Sequence, residues 1–201
     1  MKTQILVALA AMSTALATAP PLLAETAKGT VYIDANNNQK REASEQGVAG
    51  VRVSDGVRFT TTDSDGRYQL EIADEAIIFI VKPSGYKTPV SKDNIPQFYY
   101  IHQPNGSPEG LRYSGISPTG PLPDQIDFAL TRQDEPSVFE AILFADTQPQ
   151  TDVELDYIRD DVVTELLGTT AAFGMTMGDV AFDDLSMLPR LNAIIGAIGI
   201  P

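Results

Sequence analysis

Along the first two thirds of the chain, apolar and polar positions alternate with the period of two that marks half-buried strands. Arg67-Tyr-Gln-Leu-Glu-Ile72 sets Tyr68, Leu70 and Ile72 against Arg67, Gln69 and Glu71. Gly29–Ile33, Val51–Ser54 and Val57–Thr62 are further strand candidates, and Ile77–Val81 is apolar throughout, as a core strand would be. Ser54-Asp-Gly56 and Asp63-Ser-Asp-Gly66 separate them and supply the glycine that a tight turn needs for a positive φ. Short strands at this spacing predict a small β-sandwich over residues 29–132. From Pro83 to Pro123 the text is rich in Pro, Gly and Ser, with an aromatic island at Phe98–Ile101 and a strand-like Ile126–Leu130. Long extended connections and edge strands that complete or cover the sandwich are expected there. Residues 133–136 read as a linker.

Past the linker the pattern changes to strand, helix, strand, helix. Val138–Phe144 is mostly apolar, and Thr151–Leu167 carries Leu155, Ile158, Val162 and Leu166 at helical spacing with Gly168 as a stop signal. Ala171–Met177 reads as a second buried strand. Leu188, Leu191, Ile195 and Ile198 line a last helix in which Pro189 is tolerable only in the first turn. Residues 137–201 are therefore expected to begin an α/β parallel sheet. At the other end, Lys2 precedes an apolar run from Ile5 to Ala17, then Pro20, Pro21 and the small Ala24. This is the layout of a cleaved secretory signal over residues 1–24, with a periplasmic or secreted protein as its consequence. The run falls short of the roughly 20 residues of a bilayer span, so no transmembrane anchor is expected.

Composition narrows the chemistry. The 201 residues include no Cys and a single His, His102, and 14 Lys plus Arg face 27 Asp plus Glu for a net charge of −13. Thiolate zinc sites, disulfides and Cys nucleophiles are excluded, and one His leaves no multi-histidine metal site within these residues. The acidic excess argues against nucleic acid as a partner, because bulk binding to phosphates needs Lys and Arg.

Two acids stand where chemistry is expected. Asp146, in Phe-Ala-Asp-Thr-Gln148, follows the first strand of the C-terminal part, and Asp179, after Gly178, follows the second. Ligands of open α/β sheets gather at the carboxyl ends of strands, and a right-handed crossover can set these two strands side by side, about 4.8 Å apart. The carboxylates could then share a cation, with the Gln148 amide oxygen as a third hard donor. The other reading makes Asp146 and Asp179 helix N-caps or turn residues.

At these positions the sequence resembles the calcineurin-like metallophosphoesterases. Their catalytic domain opens with a strand ending Asp-x-His, or Asp-x-Gln in one subgroup, followed by Gly-Asp and a short acidic stretch; here stand Phe144-Ala-Asp-Thr-Gln148 and Gly178-Asp-Val-Ala-Phe-Asp-Asp184. The resemblance implies that Asp146 and Gln148 bind a first metal, that Asp179 bridges to a second, and that two divalent ions (Fe, Mn or Zn) activate water to hydrolyse a phosphate-ester substrate. Asp183 and Asp184 match the acidic tail and are expected to serve the loop and the start of the next helix. The family's Gly-Asn-His motif and later His-bearing strands do not occur within residues 136–201. The chain therefore reads as an N-terminal fragment, whose remaining ligands and acid are expected beyond Pro201 and which by itself is expected to hydrolyse little.

A second cation candidate lies near the N-terminus. Asp34, Asn36, Asn38, Glu42 and Glu45 occupy positions 1, 3, 5, 9 and 12 of a twelve-residue loop, the oxygen-donor spacing of an EF-hand-like calcium site. Gln39 takes the sixth position, where a sharp turn wants Gly, and the alternative is a polar surface loop. Asp34–Glu45, Gly47–Val53 and Thr62–Leu70 together resemble SdrD B-type repeats and the sandwich domain ahead of some secreted calcineurin-like phosphoesterases. His102 is expected to be a satisfied structural residue. The second functional reading is accordingly a calcium-stabilised extracellular adhesion or spacer module without catalysis.

Overall fold

The computed structural model describes residues 25–201. The secretory signal read over residues 1–24 lies outside them, and no helix among the described residues is long and apolar enough to cross a membrane.

The chain up to Arg132 forms two four-stranded sheets. One has the order β4-β1-β8-β6, from β1 (Glu25–Ile33), β4 (Arg67–Ile72), β6 (Tyr86–Lys87) and β8 (Phe128–Arg132). The other has the order β3-β2-β5-β7, from β2 (Arg52–Ser54), β3 (Phe59–Thr61), β5 (Ala76–Val81) and β7 (Tyr99–His102). The alternation in Arg67–Ile72 predicted β4 to its ends, and Tyr68, Leu70 and Ile72 are its buried residues. They meet Val53, Ile78 and Ile80 from the facing sheet and Ala27, Val31 and Leu130 from their own in one core. The strand expected over Val57–Thr62 is confined to three residues, because Asp55 and Gly56 turn the chain and Val57 stays exposed.

β1 changes partner part-way along. Glu25–Thr30 pair antiparallel with β4, and Val31–Ile33 pair parallel with β8. At the switch, Gly29 lies so close to the Ile126 carbonyl that an added Cβ would stand 1.9 Å from its oxygen. Thr30 N donates to Asp127 Oδ1 at 2.7 Å, Ile126 N to the Lys28 carbonyl at 2.9 Å, and Tyr68 Oη to the Ile126 carbonyl at 2.7 Å. A side chain at position 29 would push β8 out of the sheet.

After the linker, β9 (Ala141–Phe144) and β10 (Phe173–Thr176) form a parallel pair with Phe144 opposite Thr176. The crossover between them is helical: α1 (Asp152–Tyr157), a π-helical segment Ile158–Val163, and α2 (Thr164–Leu166), closed by Gly168 at φ +80°. A capping box starts it, with the Thr151 hydroxyl accepting from Glu154 N and the Glu154 carboxylate accepting from Thr151 N. The π segment corrects the register read from sequence. Wider turns move the apolar face by one position, so that Val163 is buried while Val162 is 41% exposed. α3 (Leu188–Gly196) has Pro189 in its first turn, as the sequence required. Leu155, Val163, Leu191, Ile194 and Ile198 enclose one face of the strand pair at Phe144. The opposite face, with Leu143 beside Met175, is exposed.

The two parts are stitched together at several points. Asn94 Nδ2 donates to the Gly196 carbonyl at 2.8 Å. Within the linker, Glu135 accepts from Lys82 Nζ at 2.5 Å and from the Ser84 hydroxyl at 2.8 Å. Hydrogen bonds from Lys82 first, then from the Gly85 amide and Ser84, hold its carboxyl down at about 2 against an ordinary 4.5. A depressed carboxylate stabilises the fold above the unfolded value and ceases to do so as protons bind. Glu135→Gln should therefore lower the melting midpoint at neutral pH, and the gap from wild type should close as pH falls from about 4.5 toward about 2. A pH-independent gap, followed by circular dichroism, would mean that the clamp does not act through its charge.

Candidate metal centre

The three residues singled out at the strand ends are brought to one place. Beyond the last ladder residues the parallel pairing continues through loop backbone: Met177 N donates to the Phe144 carbonyl at 2.7 Å, Asp146 N to the Gly178 carbonyl at 3.2 Å, and Gln148 N to the Asp179 carbonyl at 3.0 Å. Thr147 Oγ1 adds a bond to the Val180 carbonyl at 2.9 Å. The two loops are thus zipped together up to the candidate ligands, and Asp179 is held directly against the Asp146–Gln148 loop.

That zipper dictates an unusual backbone. Asp146, Gln148 and Asp179 have φ of 56°, 27° and 40°, and no other non-glycine residue after Asn94 has a positive φ among the described residues. Such conformations cost on the order of 1–3 kcal/mol for a residue with a Cβ and persist only where the surroundings over-determine them. Gly178 precedes Asp179 at φ 121°, an angle open only to glycine.

The capping alternative can now be weighed. Thr151 caps α1 and Asp184 caps the short 3-10 turn Leu185–Met187, its carboxylate accepting from Ser186 N at 3.0 Å. Neither Asp146 nor Asp179 starts a helix. Both are exposed, and neither lies within ion-pair distance of a Lys, Arg or His among the described residues. Two free carboxylates and one amide oxygen suit a hard divalent ion, yet they make only part of a coordination shell. Among the described residues no group of three or more His, Cys, Asp or Glu side chains converges as a metal site.

Elsewhere the structure sorts the other candidates. A cleft of about 980 Å³ opens between sandwich, linker and the start of β10, lined by Tyr86, Phe98, Glu135, Phe139 and Phe173. It meets the strand pair at its amino ends, opposite to where α/β sheets collect ligands. In the Asp34–Glu45 loop, Gln39 adopts φ 59°, so the sixth position takes the left-handed turn without glycine. Buried Asp34 accepts from Asn38 N at 3.1 Å and Gln39 N at 2.8 Å, the Glu45 carboxylate accepts from Ala35 N and Glu42 N, and Asn36 and Asn38 donate to Glu42. His102 is buried, as expected of a structural residue, but it is not satisfied. Its Nε2 lies 3.4 Å from Glu25 Oε2, and neither ring nitrogen has a hydrogen-bond partner.

Compared with known families, residues 35–114 match the model described as the N terminal of calcineurin-like phosphoesterase. The match takes in most of the Asp34–Glu45 loop and the strands from β2 to β7, and it supports a relation to that family of hydrolases while leaving the strand pair outside it. No curated protein matches the chain.

The strained backbone generates a test. Gln148→Gly and Asp179→Gly should each raise the melting midpoint measured in chelator, by about 2–4 °C for each 1 kcal/mol of strain relieved in a protein of this size. An unchanged or lower midpoint would show that these side chains stabilise the fold.

Proposed function

We propose that the protein is an exported, metal-dependent phosphoesterase of the calcineurin-like kind, with a β-sandwich preceding the first β-α-β-α part of the α/β phosphoesterase domain. Asp146 and Gln148 would hold one divalent ion, of iron, manganese or zinc, and Asp179 would bridge it to a second. The observation that carries this reading is the zipped pair of loops: two acids on adjacent parallel strand ends, free of caps and ion pairs, kept in left-handed backbone at an energetic cost. The family match of residues 35–114 supports it independently, since that segment excludes all three residues.

Bound divalent ions supply Lewis acidity toward phosphoryl oxygens and activation of water for in-line attack. This chain's own residues do the positioning. Backbone bonds from Asp146 N and Gln148 N fix the separation of the two loops before any ion arrives. Thr147 adds a side-chain strut between the two loops, and Gly178 keeps the approach to Asp179 free of a side chain.

The full-length protein should release phosphate or alcohol from aryl phosphate esters in the presence of manganese, and Asp179→Asn should reduce kcat/KM by about a hundredfold or more. Hydrolysis that survives both EDTA and this substitution would overturn the reading.

The second reading, a calcium-stabilised extracellular module, is favoured by one observation: Gln39 supplies the turn that the twelve-residue spacing requires. An ion bound only by the folded state adds about 2.7 kcal/mol when present at 100 times its Kd. Calcium should accordingly raise the midpoint by several degrees over EDTA, and Asp34→Asn with Glu45→Gln should abolish the rise. Identical midpoints with and without calcium would leave Asp34–Glu45 a self-bonded surface loop.

A further inference from the structure

The segment between His102 at the end of β7 and Phe128 at the start of β8 carries the sandwich to the loop that follows Asp179. Although the loop has no strands, it is held in shape by pairs of hydrogen bonds. Ser107 N donates to the Ile116 carbonyl at 2.8 Å and Ile116 N to Ser107 Oγ at 2.9 Å. Thr119 N donates to the Gln103 carbonyl at 3.0 Å, and Gln103 N donates to Thr119 Oγ1 at 2.9 Å. The far end of this excursion presents Arg112 and Tyr113.

Tyr113 Oη donates to the Asp183 carbonyl at 2.6 Å, four residues beyond Asp179 on the same loop. The Arg112 guanidinium lies over the Tyr113 ring, 5.0 Å from its centroid. Arg112 is exposed and makes no ion pair among the described residues. It is nevertheless close to Asp184, whose carboxyl is held below its usual range by the Ser186 hydroxyl and amide above all, with the Tyr113 hydroxyl and the Arg112 charge adding to the effect. Asp184 is already engaged by Ser186, which leaves the guanidinium free for another anion.

The charges around this point make such a cation consequential. Asp146, Asp179, Asp183 and Asp184 are all acids, and the chain carries a net −13, so an anionic substrate is repelled until a cation meets it. A guanidinium stacked on an aromatic ring loses little freedom on binding, and its planar fork matches phosphate or carboxylate oxygens in pairs. We infer that Arg112, carried by the sandwich, is a substrate-binding residue that takes a second anionic group of the ester, distinct from the phosphoryl group hydrolysed at Asp146, Gln148 and Asp179. The inference rests on the phosphoesterase reading of that site and names the substrate class: esters bearing a further phosphate or carboxylate. It also gives the sandwich a part in substrate binding, since Tyr113, beside Arg112, is bound to the Asp183 carbonyl.

Steady-state kinetics of the manganese-loaded full-length protein test this with three esters: phenyl phosphate, 4-carboxyphenyl phosphate and a hexose 1,6-bisphosphate. Arg112→Gln should raise KM about tenfold for the carboxylate ester, the bisphosphate or both, the loss of one charge-assisted contact, with kcat within about twofold and phenyl phosphate unaffected. Which ester responds identifies the second anion. Arg112→Lys should recover part of the loss, and the exposed position predicts an unchanged melting midpoint for both variants. Equal effects on all three esters, no effect on any, or a wild-type protein that accepts only phenyl phosphate would overturn the inference and leave the phosphoesterase reading standing. Absence of chelator-sensitive hydrolysis of all three by the wild type would remove both.

Discussion

The structure depends on the change of partner in β1. Its first six residues pair with β4 and its last three with β8, and Gly29 makes the change possible by letting the Ile126 carbonyl come where a side chain would be. β8 then leads directly into the linker, where Glu135 is fastened by Lys82 and Ser84, and the linker delivers the chain to β9. The placement of Asp146 against the sandwich thus traces back through one strand to a glycine more than a hundred residues earlier. The half of β1 that pairs with β8 runs on into Asp34, whose N donates to the Leu130 carbonyl of β8 at 2.9 Å, so the start of the second cation candidate is held by the same pairing.

Within the C-terminal part, backbone hydrogen bonding and ligand geometry are one arrangement. A parallel ladder ordinarily stops where the strands splay, but here it runs on through Asp146 N and Gln148 N, and three residues accept left-handed backbone to allow it. Strain of this kind raises the energy of the fold, and the side chains of Asp146 and Asp179 are exposed while that of Gln148 is half-buried. The large cleft at the opposite end is lined by Asn37, Gln39 and Asn94, whose backbone is left-handed as well, and by Asp34 and Glu135, whose carboxylates are already taken up by hydrogen bonds within the protein.

Much of this was legible in the sequence because burial leaves a period. The alternation in Arg67–Ile72 marked β4 to the residue, and the strand pattern before Asp146 and Asp179 was enough to expect their two loops side by side. What escaped was set by contacts without a period. A two-residue strand such as β6 is too short to show alternation, and Gln39 at φ 59° runs against the preference for glycine that the loop spacing implied. The meeting of Tyr113 with Asp183 joins residues 70 positions apart from a Pro-rich loop, where neither helix nor strand spacing gives warning. His102 shows the limit from the other side: it was read as a satisfied structural residue, but whether two ring nitrogens find partners depends on atoms that sequence does not locate.

The π-helical segment between Ile158 and Val163 bears on how this region compares with others like it. A π turn is an α-helix with one extra residue looped into it, so the crossover from β9 to β10 contains a position whose removal shortens the chain and moves neither strand. Relatives with a regular α-helix here would align with a single gap near Asp160 and Asp161, and the gap would be silent in three dimensions. An ungapped alignment would instead set Val162 in the buried place of Val163 and carry that slip of one onward to Gly178 and Asp179, so that a neighbour would stand in the column of each candidate residue.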